Sequence, residues 1–391
     1  MDAKERILKT INHEEPDKVP SFEISIDNLK IYNHFGLKYG YQGNGDLLKK
    51  TYDLLKGDTA FLKKFADKSS KVSDTLTPAI ELYMKLGIDL CPIYVTNLPV
   101  FYEREGIVDD YGRRMHFKKN PSDGMDILYY MDGTFNTIDD LEKFPPLNPD
   151  DPKREAIFNN AKQIEKKFKG KVYTMPSIGG MMEGAWQSFG LQKFSKFFSR
   201  PKILKQIFDY EGKFALEMVK RIIDWGEDSV ILMGDDYGFK NGLLTNPKYY
   251  EEYLFPWLKR MCDTAHKAGV KFFLHSCGDI FEIFEPILEC GVDLIHPLEP
   301  TTANPDYDIF KLHEQYGDRI TFVGNVSPQD LADQPPEVIA NYVKRLIKTL
   351  APGGGFILSS GHSINPAVKL ENFLIMHETL KKYGKYSIRI M

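Results

Sequence analysis

Lys271-Phe-Phe-Leu-His-Ser-Cys-Gly-Asp279 is a short apolar run that stops abruptly in a histidine, a cysteine and a glycine. It reads as a buried strand that delivers its last residues into a site. Side chains alternate along a strand with period two, so His275 and Cys277 project from one face at its C-terminal end. An imidazole nitrogen and a thiolate aimed at one place suit zinc, which takes nitrogen and sulfur donors in a tetrahedral arrangement. The same pair can also serve as plain core packing, so the rest of the chain has to choose between the two.

Outward from this stretch, apolar strand-like runs alternate with segments of helical period, the pattern of βα units and a parallel sheet. The runs lie at 172–178, 229–234, 270–276, 293–298, 320–324 and 355–360, and two more lie upstream at 19–25 and 88–95. That set meets the eight-strand requirement of a (β/α)8 TIM barrel, and the predicted class is α/β with one domain over 1–391. Asn246-Pro247 predicts a capped helix start, and Tyr250, Tyr253, Leu254, Trp257, Leu258, Met261 and Ala265 keep helical spacing up to Gly269, with a kink expected at Pro256. Residues 102–150 break the rhythm. Alternation over 107–117 about a turn predicts an inserted β-hairpin there, with a further strand at 126–133.

Composition removes several function classes. The 391 residues are 42% hydrophobic, and 51 basic residues against 55 acidic ones leave a net charge of -4. No basic field exists for nucleic acid or anionic lipid. The charged start, Met1-Asp-Ala-Lys-Glu-Arg-Ile-Leu8, does not read as a signal peptide, and no apolar stretch approaches the ~18 residues that span a bilayer, so a cytoplasmic protein is expected. Cys91, Cys262, Cys277 and Cys290 form no disulfide framework in so long a chain.

In a parallel barrel, functional residues gather where strands end at the C-terminal face. His275 closes one run and Cys277 follows it, Glu299 follows the next, and His362 follows the last. Together they offer one sulfur, two nitrogens and one oxygen, with Glu299 displaceable by substrate. Glu299 and His362 could equally cap neighbouring helices. Asp235 and Asp236 end another run, where Asp236 could move a proton and Asp235 contact substrate, or either could cap a turn. Glu23, Glu183, Trp186 and Asn325 are pocket candidates by position.

At these residues the sequence resembles the uroporphyrinogen decarboxylase superfamily, including its corrinoid-dependent methyltransferase branch. The resemblance runs from Lys4-Glu-Arg-Ile-Leu8 through Asp235-Asp-Tyr-Gly238, Phe255-Pro-Trp-Leu258 and Gly324-Asn-Val-Ser-Pro328. His275-x-Cys277 looks like the zinc motif of that branch, and its spacing to Glu299 is similar to that in cobalamin-independent methionine synthase. Two departures matter. Where coenzyme M methyltransferases of this group carry Pro-Gly-Cys, this chain has Ser360-Gly-His362, and a Gly-His also occurs there in the decarboxylases. The decarboxylases hold substrate carboxylates with N-terminal arginines, whereas Pro20-Ser-Phe-Glu-Ile-Ser-Ile-Asp27 has none and places Glu23 instead.

The resemblance implies zinc and a corrinoid supplied by a partner protein, since no Asp-x-His-x-x-Gly stretch occurs here to hold a cobalamin. Neutral His362 in place of a thiolate keeps the metal electrophilic, which favours an oxygen leaving group. The expected activity is therefore O-demethylation of a methoxyaromatic compound. The alternatives are methyl transfer from a methylcorrinoid protein to a thiol, a metal-free decarboxylase using His362 and an aspartate, and a zinc-binding scaffold without turnover. A homodimer is compatible with the sequence.

Overall fold

The computed structural model describes residues 1–69 and 72–388; positions 70–71 and 389–391 of the expected single domain lie outside the described residues. Strand β1 (Leu90–Tyr94) is followed by β2 (Pro99–Tyr102), β3 (Gly106–Asp109), β4 (Arg113–Lys119) and β5 (Asp126–Gly133). The parallel pattern resumes with β6 (Tyr173–Gly179) and β7 (Val230–Gly234). A short hairpin, β8 (Gly238–Phe239) and β9 (Gly242–Leu243), precedes β10 (Lys271–His275), β11 (Leu294–His296), β12 (Thr321–Val326) and β13 (Phe356–Ser360).

Seven parallel strands pair in the order β1-β6-β7-β10-β11-β12-β13, and each coincides with an expected run. The remaining run, at 19–25, closes the ring without becoming a regular strand. Phe22 N donates to Leu358 O of β13 at 2.9 Å, and Leu90 N of β1 donates to Ser21 O at 3.1 Å. Both contacts are parallel bridges. Pro20 has no N–H to give, so this segment pairs one bridge at a time.

The inside of the barrel is a separate apolar core. Phe22, Leu90, Met175, Leu232, Phe273 and Ile357 meet Ala3, Ile7 and Ile11 of the N-terminal helix Ala3–Ile11 there. That helix plugs the end where the strands begin: Ala3 N donates to Gly170 O just before β6, and Gly355 N just before β13 donates to Thr10 O. Because alternate residues face inward, the next inward positions after Leu232, Phe273 and Leu294 are Gly234, His275 and His296, all at the opposite end.

The inserted hairpin is larger than expected, a four-stranded antiparallel sheet β2-β3-β4-β5. It braces the helix Met181–Phe189: Arg113 Nη1 donates to Gln187 Oε1 at 3.0 Å and Tyr130 OH to Gln187 O at 2.9 Å. The kink expected at Pro256 takes the form of a π-helical stretch, Tyr250–Leu254, leading into the helix Phe255–Lys267 with proline in its first turn. No described helix is long and apolar enough to cross a membrane.

Candidate metal centre

β10 pairs His275 with Gly234 on one side and His296 on the other. The chain then turns sharply at Gly278, with φ +83°, where an added Cβ would lie 2.2 Å from the carbonyl carbon of Gly238. Only glycine permits that approach. The turn brings Cys277 N within 2.8 Å of Asp236 Oδ1, which accepts its hydrogen bond. Donor atoms of Asp236, His275 and Cys277 all lie within 4.8 Å of one another. Cys277 Sγ stands 3.5 Å from His275 Nε2, and Asp236 Oδ1 stands 3.6 Å from the same nitrogen. Ligand bonds of ~2.3 Å to sulfur and ~2.0–2.1 Å to nitrogen or oxygen put tetrahedral donors roughly 3.4–3.5 Å apart. Two edges of a zinc tetrahedron are thus in place, and the donor set fits the metal with a coordination position left over.

The electrostatics point the same way. Burial pushes the Cys277 thiol well up, and the carboxylates of Asp236, Glu299 and Glu183 push it further. Burial, and then Asp236, lift Glu183 to about 8, against the pull of Arg113. Burial depresses His275 to about 4, so at neutral pH its imidazole is uncharged, the form that ligates metal. A divalent cation is the partner that would draw protons off both the thiol and the acids.

Above the donors opens a cavity of about 330 Å³. Trp186, Phe239 and Leu244 give it apolar walls, while Asp236, Cys277, Glu299, Thr301 and Lys240 supply its polar groups. The indole of Trp186 meets Tyr130 of the insertion edge-on at 5.6 Å, and its buried Nε1 has no partner among the described residues. Glu299 Oε1 accepts from Thr301 Oγ1 at 2.7 Å. His362 is exposed, and its Nδ1 accepts from Ser363 N at 2.8 Å.

The family model for uroporphyrinogen decarboxylase (URO-D) matches residues 126–383, well over half of the chain and all three donors. The chain belongs to the uroporphyrinogen decarboxylase family. Among its relatives, the uroporphyrinogen decarboxylase of Pseudoalteromonas translucida is 26% identical over 269 residues, 64% of this chain and 71% of that protein. The methylcobamide:CoM methyltransferase MtbA of Methanosarcina acetivorans is 22% identical over 251 residues, 63% of this chain and 69% of that protein. The solved structure of a methyltransferase from Methanosarcina mazei superposes with a TM-score of 0.67 at 18% identity, covering 98% of this chain and 99% of that one. At that identity the superposition establishes the shared barrel fold.

Within this family frame, several expected site residues take other positions. Glu299 and His362, expected as metal ligands beside His275 and Cys277, fall outside the three-donor group: Glu299 lines the cavity with its Oε1 accepting from Thr301 Oγ1, and His362 is exposed with its Nδ1 accepting from Ser363 N. Asp236, expected as a proton carrier, has its carboxylate in the donor group with His275 and Cys277. Asp235, expected to touch substrate, is fully buried and accepts from Met181 N at 3.0 Å and Glu183 N at 2.9 Å. It caps a helix whose own N-cap, Gly180, has no side chain to do so. Glu23 lies on the outer face of the wall, where Ser360 N donates to its Oε1 at 3.2 Å and His377 Nε2 is 3.8 Å away. Asn325 is used up by Leu298 O and the hydroxyl of Tyr342. The sequence reading missed His296. Its signal was there in Leu294-Ile-His296, two residues past an inward leucine and in register with His275.

Proposed function

We propose that this member of the uroporphyrinogen decarboxylase family is a zinc-dependent methyltransferase that moves a methyl group from a methoxylated aromatic compound to the cobalt of a separate corrinoid protein. The observation that carries the proposal is the Asp236, His275 and Cys277 donor group beneath a cavity with apolar walls. A zinc ion held by these three residues would supply Lewis-acid stabilisation of charge on an ether oxygen. Asp236 and Cys277 are the two anionic donors, and neutral His275 keeps the site electrophilic. Trp186, Phe239 and Leu244 enclose an aromatic ring and exclude water. Glu299 lines the cavity above the donors and would be the further carboxylate available to a bound zinc before substrate enters, and exposed His362 would be an additional imidazole near the mouth. Glu183 holds a proton beside the donors and can orient substrate with Trp186. The corrinoid protein docks over the barrel mouth in the cytoplasm, and the enzyme works alone or as a homodimer.

The likeness to MtbA favours a second reading, methyl transfer from a methylcorrinoid protein to a thiol. A decarboxylase acting on a polycarboxylate is served less well, since the described residues lining the cavity set Lys240 against Asp236 and Glu299. Metal analysis of the purified protein separates a metal-free decarboxylase from both methyltransferases. The direction is tested by measuring transfer from a methoxyaromatic donor to cob(I)alamin, and from methylcobalamin to a thiol, in wild type and His362→Cys. Ether demethylation in wild type, with His362→Cys retaining most of it because that side chain lies outside the three-donor group, is the expected result. Wild-type activity in the thiol direction alone reverses the assignment.

A further inference from the structure

We propose that His296 is a positioning residue that fixes the tautomer of His275 so that its Nε2 faces the donor group. The inference rests on the metal-site reading above and concerns a residue that does not itself touch the cavity. His296 is fully buried, and its Nε2 lies 3.0 Å from the carbonyl oxygen of Ser360, with Ser359 Oγ at 3.2 Å from the same nitrogen. A carbonyl oxygen can only accept, so this Nε2 carries a proton. Among the described residues, no carboxylate contacts His296 to support a second proton. Its ring neighbours besides His275 are the edges of Phe22 and Phe273. A neutral imidazole with a protonated Nε2 has a bare Nδ1, and that atom is 2.6 Å from His275 Nδ1. His275 must therefore donate from Nδ1. Its one remaining lone pair is on Nε2, the nitrogen 3.5 Å from Cys277 Sγ and 3.6 Å from Asp236 Oδ1.

The carbonyl at the head of this relay is itself anchored. Ser360 pairs with Val326 across the β12–β13 ladder, and Gly361 N donates to Val326 O at 2.7 Å. Behind the wall, Ser360 N donates to Glu23 Oε1 at 3.2 Å, and Ser360 Oγ also bonds Glu23. The buried glutamate thus acts on the site from outside the barrel, through a strand end, a carbonyl and two imidazoles. Such outer partners orient metal-ligating histidines, and removing one typically costs roughly tenfold to a hundredfold in metal affinity.

Nitrogen-15 NMR of histidine-labelled, zinc-free protein at neutral pH reads the tautomer directly. The inference requires His275 to be protonated on Nδ1 and bare on Nε2, and the opposite tautomer overturns it. Zinc affinity by chelator competition is the second readout. His296→Phe, which fills the space without an acceptor, should lose roughly tenfold to a hundredfold. His296→Asn, whose amide oxygen can stand near the Nδ1 position, should recover most of that loss. Equal affinity in wild type and His296→Phe, or equal loss in both variants, refutes the role. If wild type binds no zinc, the metal reading fails, and the zinc-free tautomer still decides the inference.

Discussion

The two ends of the barrel treat their carboxylates in opposite ways. At the floor, beside the plugging helix, Arg6 donates to Asp17 at 2.7 and 2.8 Å and to buried Asp89 at 2.6 Å, and Lys18 adds a second cation 3.2 Å from Asp89. The Arg6 hydrogen bond holds Asp17 below the usual carboxylate range. At the mouth, burial lifts Asp235 to about 7 and Glu183 to about 8, and the nearby thiol is pushed up as well. Acids of one chemical kind are matched by built-in cations at one end and left short of them at the other. In a barrel the floor serves stability and the mouth serves function, and the uncompensated charge is what a metal can use.

The contrast is tested hardest by Arg6→Leu. It leaves Asp89 buried with Lys18 as its remaining cation, and removing one partner of a buried pair costs about 3–5 kcal/mol. Urea unfolding should show that loss, while the folded fraction should bind zinc with unchanged affinity. A loss below ~1 kcal/mol, the level of a surface ion pair, would mean the floor network is ornamental.

Cys277→Ala probes the other end and should give the reverse pattern. Zinc affinity, by chelator competition, should fall by at least about a hundredfold, the upper end of what supporting groups alone cost. Unfolding of the zinc-free protein should be nearly unchanged, because burial and the surrounding carboxylates keep the Cys277 thiol protonated and its removal breaks no ion pair. Retained zinc binding in this variant removes the donor group as the site.

What the sequence disclosed follows from which physical signals survive in one dimension. The barrel was legible because each strand is a continuous apolar run punctuated by polar or glycine residues, and His275 and Cys277 were legible because period two puts them on one face. The face of Glu23 was not. Phe22 and Ile24 face the apolar interior, but the outer wall is equally apolar under its helices, so alternation carries no contrast to read. Asp235 and Asp236 are chemically identical neighbours. Only the approach of the helix Met181–Phe189 sends one beneath a helix N-terminus and leaves the other among the donors. For Glu299 and His362, contacts with Thr301 and Ser363 set the side chains after the strands have ended, beyond the reach of any period.

The finest test is Glu23→Gln, since Glu23 is a mouth-end acid that touches no cavity. Burial raises its carboxyl to about 8, with Ser360 pulling the other way. In the unfolded chain it titrates near 4.3. Between those values the unfolded state has lost a proton that the native state keeps, so stability falls as pH rises through this window and levels off above it. The slope is about 1.4 kcal/mol per pH unit, and the roughly 1.5 units from about pH 5.5 to about pH 7, where the native carboxyl stays protonated, amount to about 2 kcal/mol. Gln keeps the shape and an acceptor for Ser360 N without titrating. Its stability relative to wild type, from urea unfolding at about pH 5.5 and about pH 7, should therefore rise by about 2 kcal/mol at the higher pH. Burial also lowers His377, 3.8 Å away, to about 3, so the two groups face each other uncharged. Were they instead an ion pair, the glutamine variant would be the less stable protein at neutral pH, and the mouth would resemble the floor after all.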